Sequence, residues 1–280
     1  TGTSSIFSRW LQGRGLLGRA MKKITPEEIA DFFLYIANER KSDRPTCQKH
    51  FIVLRGVFTY AKKRGEIEAV PFDKELIVFP KKGKDRSAAL IPSHIVPVLL
   101  KDLEENDPQL FLACMLEFYC GARPGREVRL LRVRNFDLVE GVLTIDADKT
   151  KNGKTGRVTM SEDLVRICRE YGIEGADPDL YIFGRNKHLD TRPLSENMLR
   201  YRFNKYRDKY NLSKDVKLYS WKHIGASYLV HSKTVDIEQL RQHLRHSNIT
   251  ATAHYVKKIT GAQNDAIRTK FPNPLKQSIE

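Results

Sequence analysis

The sequence predicts a mainly α-helical protein with one small antiparallel sheet, divided between two domains. Three observations carry that prediction. Apolar residues recur at three- and four-residue spacing through most of the chain. They alternate residue by residue between Gly141 and Met160. Both periods fail between Val70 and Ser93, where Pro71, Pro80 and Pro92 accompany the basic run Lys81–Arg86. The expected layout is a helical domain over 1–82, a basic linker over 83–90, a second domain over 91–260 and a tail over 261–280.

The elements follow in order. Thr1 to Ser5 is read as a remnant foreign to the fold. Ile24–Arg40 opens with a capping box, in which Thr25 caps, Pro26 takes the first turn and Glu28 closes the box. Ile29, Phe32, Phe33 and Ile36 share one face of this helix. Thr46–Gly65 is a second helix, with Phe51, Leu54, Phe58 and Ala61 on its apolar stripe and Gly65 as its stop. Its other face carries Lys49, His50, Arg55, Lys62, Lys63 and Arg64, an excess of one sign that favours a phosphate-facing surface over a merely solvated one. In the second domain, helices are expected at about 93–105 and 108–120. A short helix over 126–133 follows the Gly121–Gly125 turn. The Gly141–Met160 hairpin turns at Lys151–Lys154, with Leu143, Ile145, Val158 and Met160 inward. Further helices are expected at about 161–171, 195–210, 220–231, 235–243 and 249–258, and a short one at 261–270.

Composition narrows the function. The chain has 280 residues, 40% of them hydrophobic, which is enough for a sizeable core. Lysine plus arginine number 49 against 34 aspartate plus glutamate, a net charge of +15. Such an excess calls for a polyanionic partner, nucleic acid before membrane surface. The longest apolar run, Gln109–Leu116, is far too short to span a bilayer, and the first ten residues lack a signal-peptide pattern. Cys47, Cys114, Cys120 and Cys168 have no zinc-ligand spacing, so a reduced cytoplasmic protein without disulfides is expected. His243, His246 and His254 have no carboxylate or cysteine at ligand spacing, so no metal and no cofactor are expected.

Four short stretches combine reactive residue types. Arg123 sits in the turn Gly121–Gly125, Lys151 at the hairpin, Tyr219, Lys222 and His223 at a helix start, and His246 nine residues before Tyr255. Together they hold the groups for metal-free attack on a phosphodiester. A guanidinium clamps nonbridging oxygens, a lysine protonates a leaving oxygen, a histidine donates to phosphate or moves a proton, and a phenol attacks and leaves again. Alone, Arg123 would read as a surface arginine and Tyr255 as a packed aromatic. Lys149 and Lys154 compete with Lys151.

These stretches, in this order, resemble the catalytic domain of the tyrosine recombinase/integrase family, over about Ser87 to Lys258. The Ile24–Lys81 region is similar to the family's helical core-binding domain. The most specific match is Arg245–Tyr255, "RHSNITATAHY". The resemblance implies a recombinase that cleaves and rejoins double-stranded DNA at a specific site through a 3′-phosphotyrosyl intermediate, for integration of a mobile element. Tyr255 is then the nucleophile, with Arg123, Lys151, Tyr219, Lys222 and His246 as catalytic groups. Two domains clamp the duplex, contacted by Lys49, Arg55, Lys62, Lys63, Lys81, Lys82 and Lys84. The enzyme is expected to be a monomer or weak oligomer alone and a homotetramer on DNA, associated with the nucleoid of a prokaryotic cell or encoded by a virus or mobile element. The tail could dock on a neighbouring protomer. A monomeric type IB topoisomerase-like enzyme and a silent DNA-binding relative are the alternatives.

Two departures stand out. Where the family reads His-x-x-Arg-His, this chain has Tyr219, Lys222 and His223. Lysine keeps charge but loses the planar fork, and His223 is the substitute if Tyr219 cannot serve. The acidic residue usually three positions after the arginine is here Arg126, followed by Glu127. Either Glu127 serves from the next position or the turn holds an extra residue.

Overall fold

The computed structural model describes residues 2–81, 83, 88–232, 234–250, 252, 253 and 256. The chain divides into two compact units, Thr1–Asp85 and Arg86–Glu280.

The first unit is built from α1 (Thr3–Gly13), α2 (Pro26–Asn38) and α3 (Arg44–Lys63). Helix α1 corrects the reading of Thr1 to Ser5 as foreign. Thr3 already begins the helix, and Ile6, Phe7 and Trp10 are buried along one face of it. Phe7 meets Phe32 edge-on with ring centroids 4.8 Å apart, and Trp10 meets Phe32 at 5.5 Å, so α1 closes an aromatic core. The opening residues were misread because Thr and Ser signal little by themselves. The apolar spacing that reveals the helix begins only at Ile6.

Helix α2 has the expected capping box. Glu28 N–H donates to Thr25 Oγ1 at 3.3 Å, and Thr25 N–H donates to Glu28 Oε2 at 3.0 Å. Helix α3 begins two residues earlier than expected, because Asp43 rather than Thr46 caps it, accepting from Thr46 N–H at 3.1 Å. Leu54, Phe58 and Ala61 are buried, while Lys49, Arg55, Lys62 and Lys63 are exposed. His50 leaves that face to pair with Thr3 Oγ1 at 2.9 Å. The Val70–Phe79 stretch has no regular structure, yet it belongs to this core rather than to a linker: Ile77 is buried and Phe72 and Phe79 pack edge-on against Phe33.

The second unit is organised around α5 (Pro108–Cys120), which buries residues all round its circumference. Helix α4 (Val96–Asn106) packs beside it, as do α6 (Glu162–Glu170), α7 (Met198–Lys209) and α8 (Ser220–Ser232). Helix α8 approaches most closely at Gly225, where a Cβ would stand 1.9 Å from the Phe118 carbonyl oxygen. Asp107 caps α5 and also receives Arg202 of α7 in a buried ion pair, while Arg202 Nη1 donates to Gln109 Oε1 at 2.6 Å. Helix α9 (Ile237–His243) carries Leu240, which packs in a separate small cluster with Ala226 and Leu244.

The sheet has three strands rather than two: β1 (Phe136–Asp137), β2 (Val142–Ile145) and β3 (Gly156–Thr159), in that order and antiparallel. Strand β1 is two residues long, too short to show a period. The register pairs Leu143 with Val158 and puts Leu143, Ile145 and Val158 in the core, as the alternation predicted. Met160 is buried just past the end of β3. The expected α-helix over 126–133 is instead a π-helical turn, Pro124–Val128. The expected helix over 249–258 is described only at 249, 250, 252, 253 and 256, which are helical. The tail over 261–280 lies outside the described residues.

Candidate active site

Helix α5 ends at Gly121, whose φ of +54° places it in the left-handed region that suits glycine. The last carbonyls of the helix therefore lack intrahelical donors, and cations satisfy them. Lys222 Nζ donates to Gly121 O at 2.7 Å. Arg245 Nη1 donates to Cys120 O and Arg245 Nη2 to Gly121 O, both at 2.9 Å. The C-terminal end of a helix carries partial negative charge, which favours this gathering of cations.

The π-turn then sets Glu127. Val128 N–H reaches back to Arg123 O at 2.9 Å, an i to i+5 bond that accommodates one more residue than an α-turn. The two readings of the second departure are compatible: the turn accommodates an extra residue, and Glu127 still points its carboxylate at Arg123. Its carboxylate, buried at 2% exposure, accepts from Arg123 N–H at 3.0 Å and Arg123 Nη1 at 2.5 Å. It also accepts from Arg245 Nη2 at 2.9 Å. One carboxylate holds two guanidinium groups.

Arg123, Lys151, Asn152, Arg245, His246 and Ser247 line one cleft of about 310 Å³. A second, of about 570 Å³, shares five of these residues and extends along Lys154–Arg157 to Arg241. The structure thus brings Arg123, Lys151 and His246 together, although each comes from a different element. Lys151 reaches the cleft from the β2–β3 connection. Of its competitors, Lys149 is paired with Asp148, and Lys154 lines the second cleft.

His246 follows α9 in a turn closed by two bonds: its N–H donates to Arg241 O at 3.0 Å, and Arg241 Nη1 donates to its carbonyl at 2.8 Å. Its Nδ1 lies 2.9 Å from Thr252 Oγ1, and Thr252 is fully buried. Thr252 thus orients the imidazole, while Ser247, Asn248, Ile249, Thr250 and Ala253 around it are exposed. Burial, then the charges of Lys222, Arg123 and Arg245, push the imidazole down to about 4, so it is neutral at pH 7.

Lys222 is 1% exposed, and burial together with Arg123 and Arg245 brings its ammonium down to about 7. Glu117, fully buried on α5, is pushed well above the usual carboxylate range by burial, against the pull of Lys222. Tyr219 stands edge-on to His223 with centroids 5.1 Å apart. Burial raises its phenol, while Arg123 beside it works the other way.

Tyr255 and His254 lie outside the described residues, as do Lys82 and Lys84. Lys81 is exposed. Arg245 escaped the sequence reading. It opens the quoted motif beside His246, and its φ of +56° is one that favours glycine. No group of three or more His, Cys, Asp or Glu able to hold a metal occurs among the described residues. No described helix is long and apolar enough to cross a membrane.

Comparison with known proteins bears on the family and the fold. The family model described as Phage integrase family matches residues 91–260. A tyrosine recombinase of Thermosipho africanus is 23% identical over 261 residues, covering 90% of this chain and 87% of the relative. Among solved structures, the Tn1549 transposon integrase in complex with a circular intermediate DNA aligns with a TM-score of 0.70 at 16% identity, covering 96% of this chain and 98% of that one. A lambda integrase dimer bound to a core site aligns with a TM-score of 0.69 at 18% identity, covering 94% and 89%. At these identities the structural likeness speaks for the fold.

Proposed function

The chain belongs to the phage integrase family, and from that premise we propose that it cleaves and rejoins double-stranded DNA at a specific site through a 3′-phosphotyrosyl intermediate on Tyr255, to integrate a mobile element. The observation that carries this reading is the convergence of Arg123, Lys151 and His246 on one cleft, from segments far apart in the chain.

Each group has a task its environment suits. Arg123, held by Glu127, offers its guanidinium to the nonbridging oxygens of the scissile phosphate, where charge grows in the transition state. The Tyr255 oxygen bonds to phosphorus as the bond to the 5′-oxygen breaks. His246, neutral at pH 7, can take the phenolic proton or donate to the phosphate. Lys151 protonates the departing 5′-oxygen. A 5′-hydroxyl from a partner strand reverses these steps, and the ester conserves the bond energy, so no nucleotide triphosphate is consumed. The Tyr219 hydroxyl and Lys222 support the phosphate site from behind. Exposed Lys49, Arg55, Lys62, Lys63 and Lys81 supply phosphate contacts along the duplex. Four protomers assemble on two duplexes, and the segment from Gly261 onward docks on a neighbour.

The test uses a duplex selected for binding from a random-sequence pool and nicked beside the cleavage position, so that the released strand diffuses away. The native chain should form a covalent adduct that survives denaturant, and Tyr255→Phe should form none. No adduct with the native chain, or an undiminished one with Tyr255→Phe, refutes the assignment.

A further inference from the structure

Resting on that reading, we propose that Arg245 supplies the second guanidinium of the phosphate site, in the role the family resemblance gives to position 222, and positions Arg123 through their shared partner Glu127. Lys222 is then an internal strut.

Four observations converge on Arg245. First, its backbone has a φ of +56°, a left-handed conformation that costs a non-glycine residue and persists where the surroundings hold it. Glycine would relieve that cost, so the side chain is what retains arginine there. Second, the guanidinium is clamped by four acceptors, Cys120 O, Gly121 O, Glu127 Oε2 and, at 3.4 Å, His243 O. Its Nε is buried with no hydrogen-bond partner among the described residues. Third, Arg245 and Arg123 both line the cleft, whereas buried Lys222 is not part of its wall. Fourth, β3 is carved for it. A Cβ on Gly156 would stand 2.4 Å from Arg245 Cδ, in the middle of the stem rather than at its flexible end.

The exchange is also sterically reciprocal. Lys222 Nζ and Arg245 Nη2 donate to the same oxygen, Gly121 O, at 2.7 and 2.9 Å. A longer arginine at 222 would enter the space that the Arg245 guanidinium fills. A lysine there and an arginine at 245 are therefore matched, one shortened where the other arrives. With Glu127 shared between Arg123 and Arg245, the pair keeps a net positive charge toward the cleft, which an incoming phosphate would balance.

The experiment compares the native chain with Arg245→Gly, Lys222→Arg/Arg245→Gly, Gly156→Ala and Gly156→Ala/Arg245→Gly. Two readouts are taken: the rate of adduct formation on the nicked selected duplex, and the rise in Tm produced by inorganic phosphate as probe. The second does not require cleavage. Arg245→Gly suits the backbone and should fold, yet it should lower the adduct rate roughly 10²-fold and weaken phosphate about ten-fold. Lys222→Arg/Arg245→Gly should recover most of both losses. Gly156→Ala should impair the native chain but change nothing further in the Arg245→Gly background. An Arg245→Gly variant that binds phosphate like the native chain overturns the proposal, as does a double variant at 222 and 245 no better than Arg245→Gly alone. Absence of any phosphate-induced shift in the native chain does so too. If the native chain binds phosphate through Arg245 but forms no adduct, the recombinase reading fails while this inference stands.

Discussion

Replacing Glu127 by glutamine should destabilise the second unit by about 3 kcal/mol. The carboxylate is the only acidic group bonded to both Arg123 and Arg245 among the described residues, at 2.5 and 2.9 Å. Two guanidinium nitrogens held on one carboxylate stand ~5 Å apart, and at an effective dielectric of ~20 their mutual repulsion is about 3 kcal/mol. Arg123 is 30% exposed, so solvent screening trims that to ~2 kcal/mol. The amide of glutamine can still accept from Arg123 N–H, but its NH2 confronts one guanidinium, and an unsatisfied buried donor adds about 1 kcal/mol. The two units need separate probes, because a chain of two units need not unfold in one step. The two tryptophans allow this, since Trp10 lies in α1 and Trp221 in α8. In a Trp10→Phe background, the fluorescence of Trp221 during urea unfolding reports the second unit alone. A loss of ~3 kcal/mol should lower its Tm by roughly 6–12 °C. A change below ~1 kcal/mol would show that water or chloride balances the two arginines, and the bridging argument would fall.

Three further outcomes follow from the same geometry. Lys222 titrates near 7 in the folded chain against a normal value of 10.5, so between those values the unfolded state binds the extra proton and stability rises with pH, by at most about 1.4 kcal/mol per unit; below pH 7 the penalty is full and constant. Urea titrations at several pH values should show that slope in the native chain and lose it in Lys222→Met. Gly225→Ala should cost more than ~2 kcal/mol, because the new methyl meets the Phe118 carbonyl backbone rather than a side chain that can swing aside; thermal unfolding near the native Tm would contradict the close packing of α5 and α8. Deleting exposed Arg126 should convert the π-turn into an α-turn and leave Glu127 bonded to Arg123, with a change under ~1 kcal/mol; a large loss would mean that the extra residue holds the turn in some further way.

The extent to which the site could be read from sequence follows from where its signals reside. Helix α2 was legible because its signals are local: Thr25, Pro26 and Glu28 specify the start, and four apolar residues specify the face. The hairpin was legible because Leu143 and Ile145 alternate with half-buried neighbours. Helix α1 and strand β1 were not, since one begins in Thr and Ser and the other has two residues. Arg123, Lys151 and His246 are singled out by residue type and order, and the fold brings them to one cleft. Arg245 was missed for a different reason. Its importance lies in a backbone angle, a missing Cβ on Gly156 and two carbonyls left over at the end of α5, none of which a residue letter encodes. The same limit applied to the spacing of Glu127. Counted along the chain it stands one residue too far from Arg123, and only the i to i+5 bond of the π-turn takes up the difference. A departure from a motif is thus ambiguous in sequence, because insertion and loss look alike there. In three dimensions they separate, since an inserted residue leaves the functional group where it was and puts the strain into the backbone.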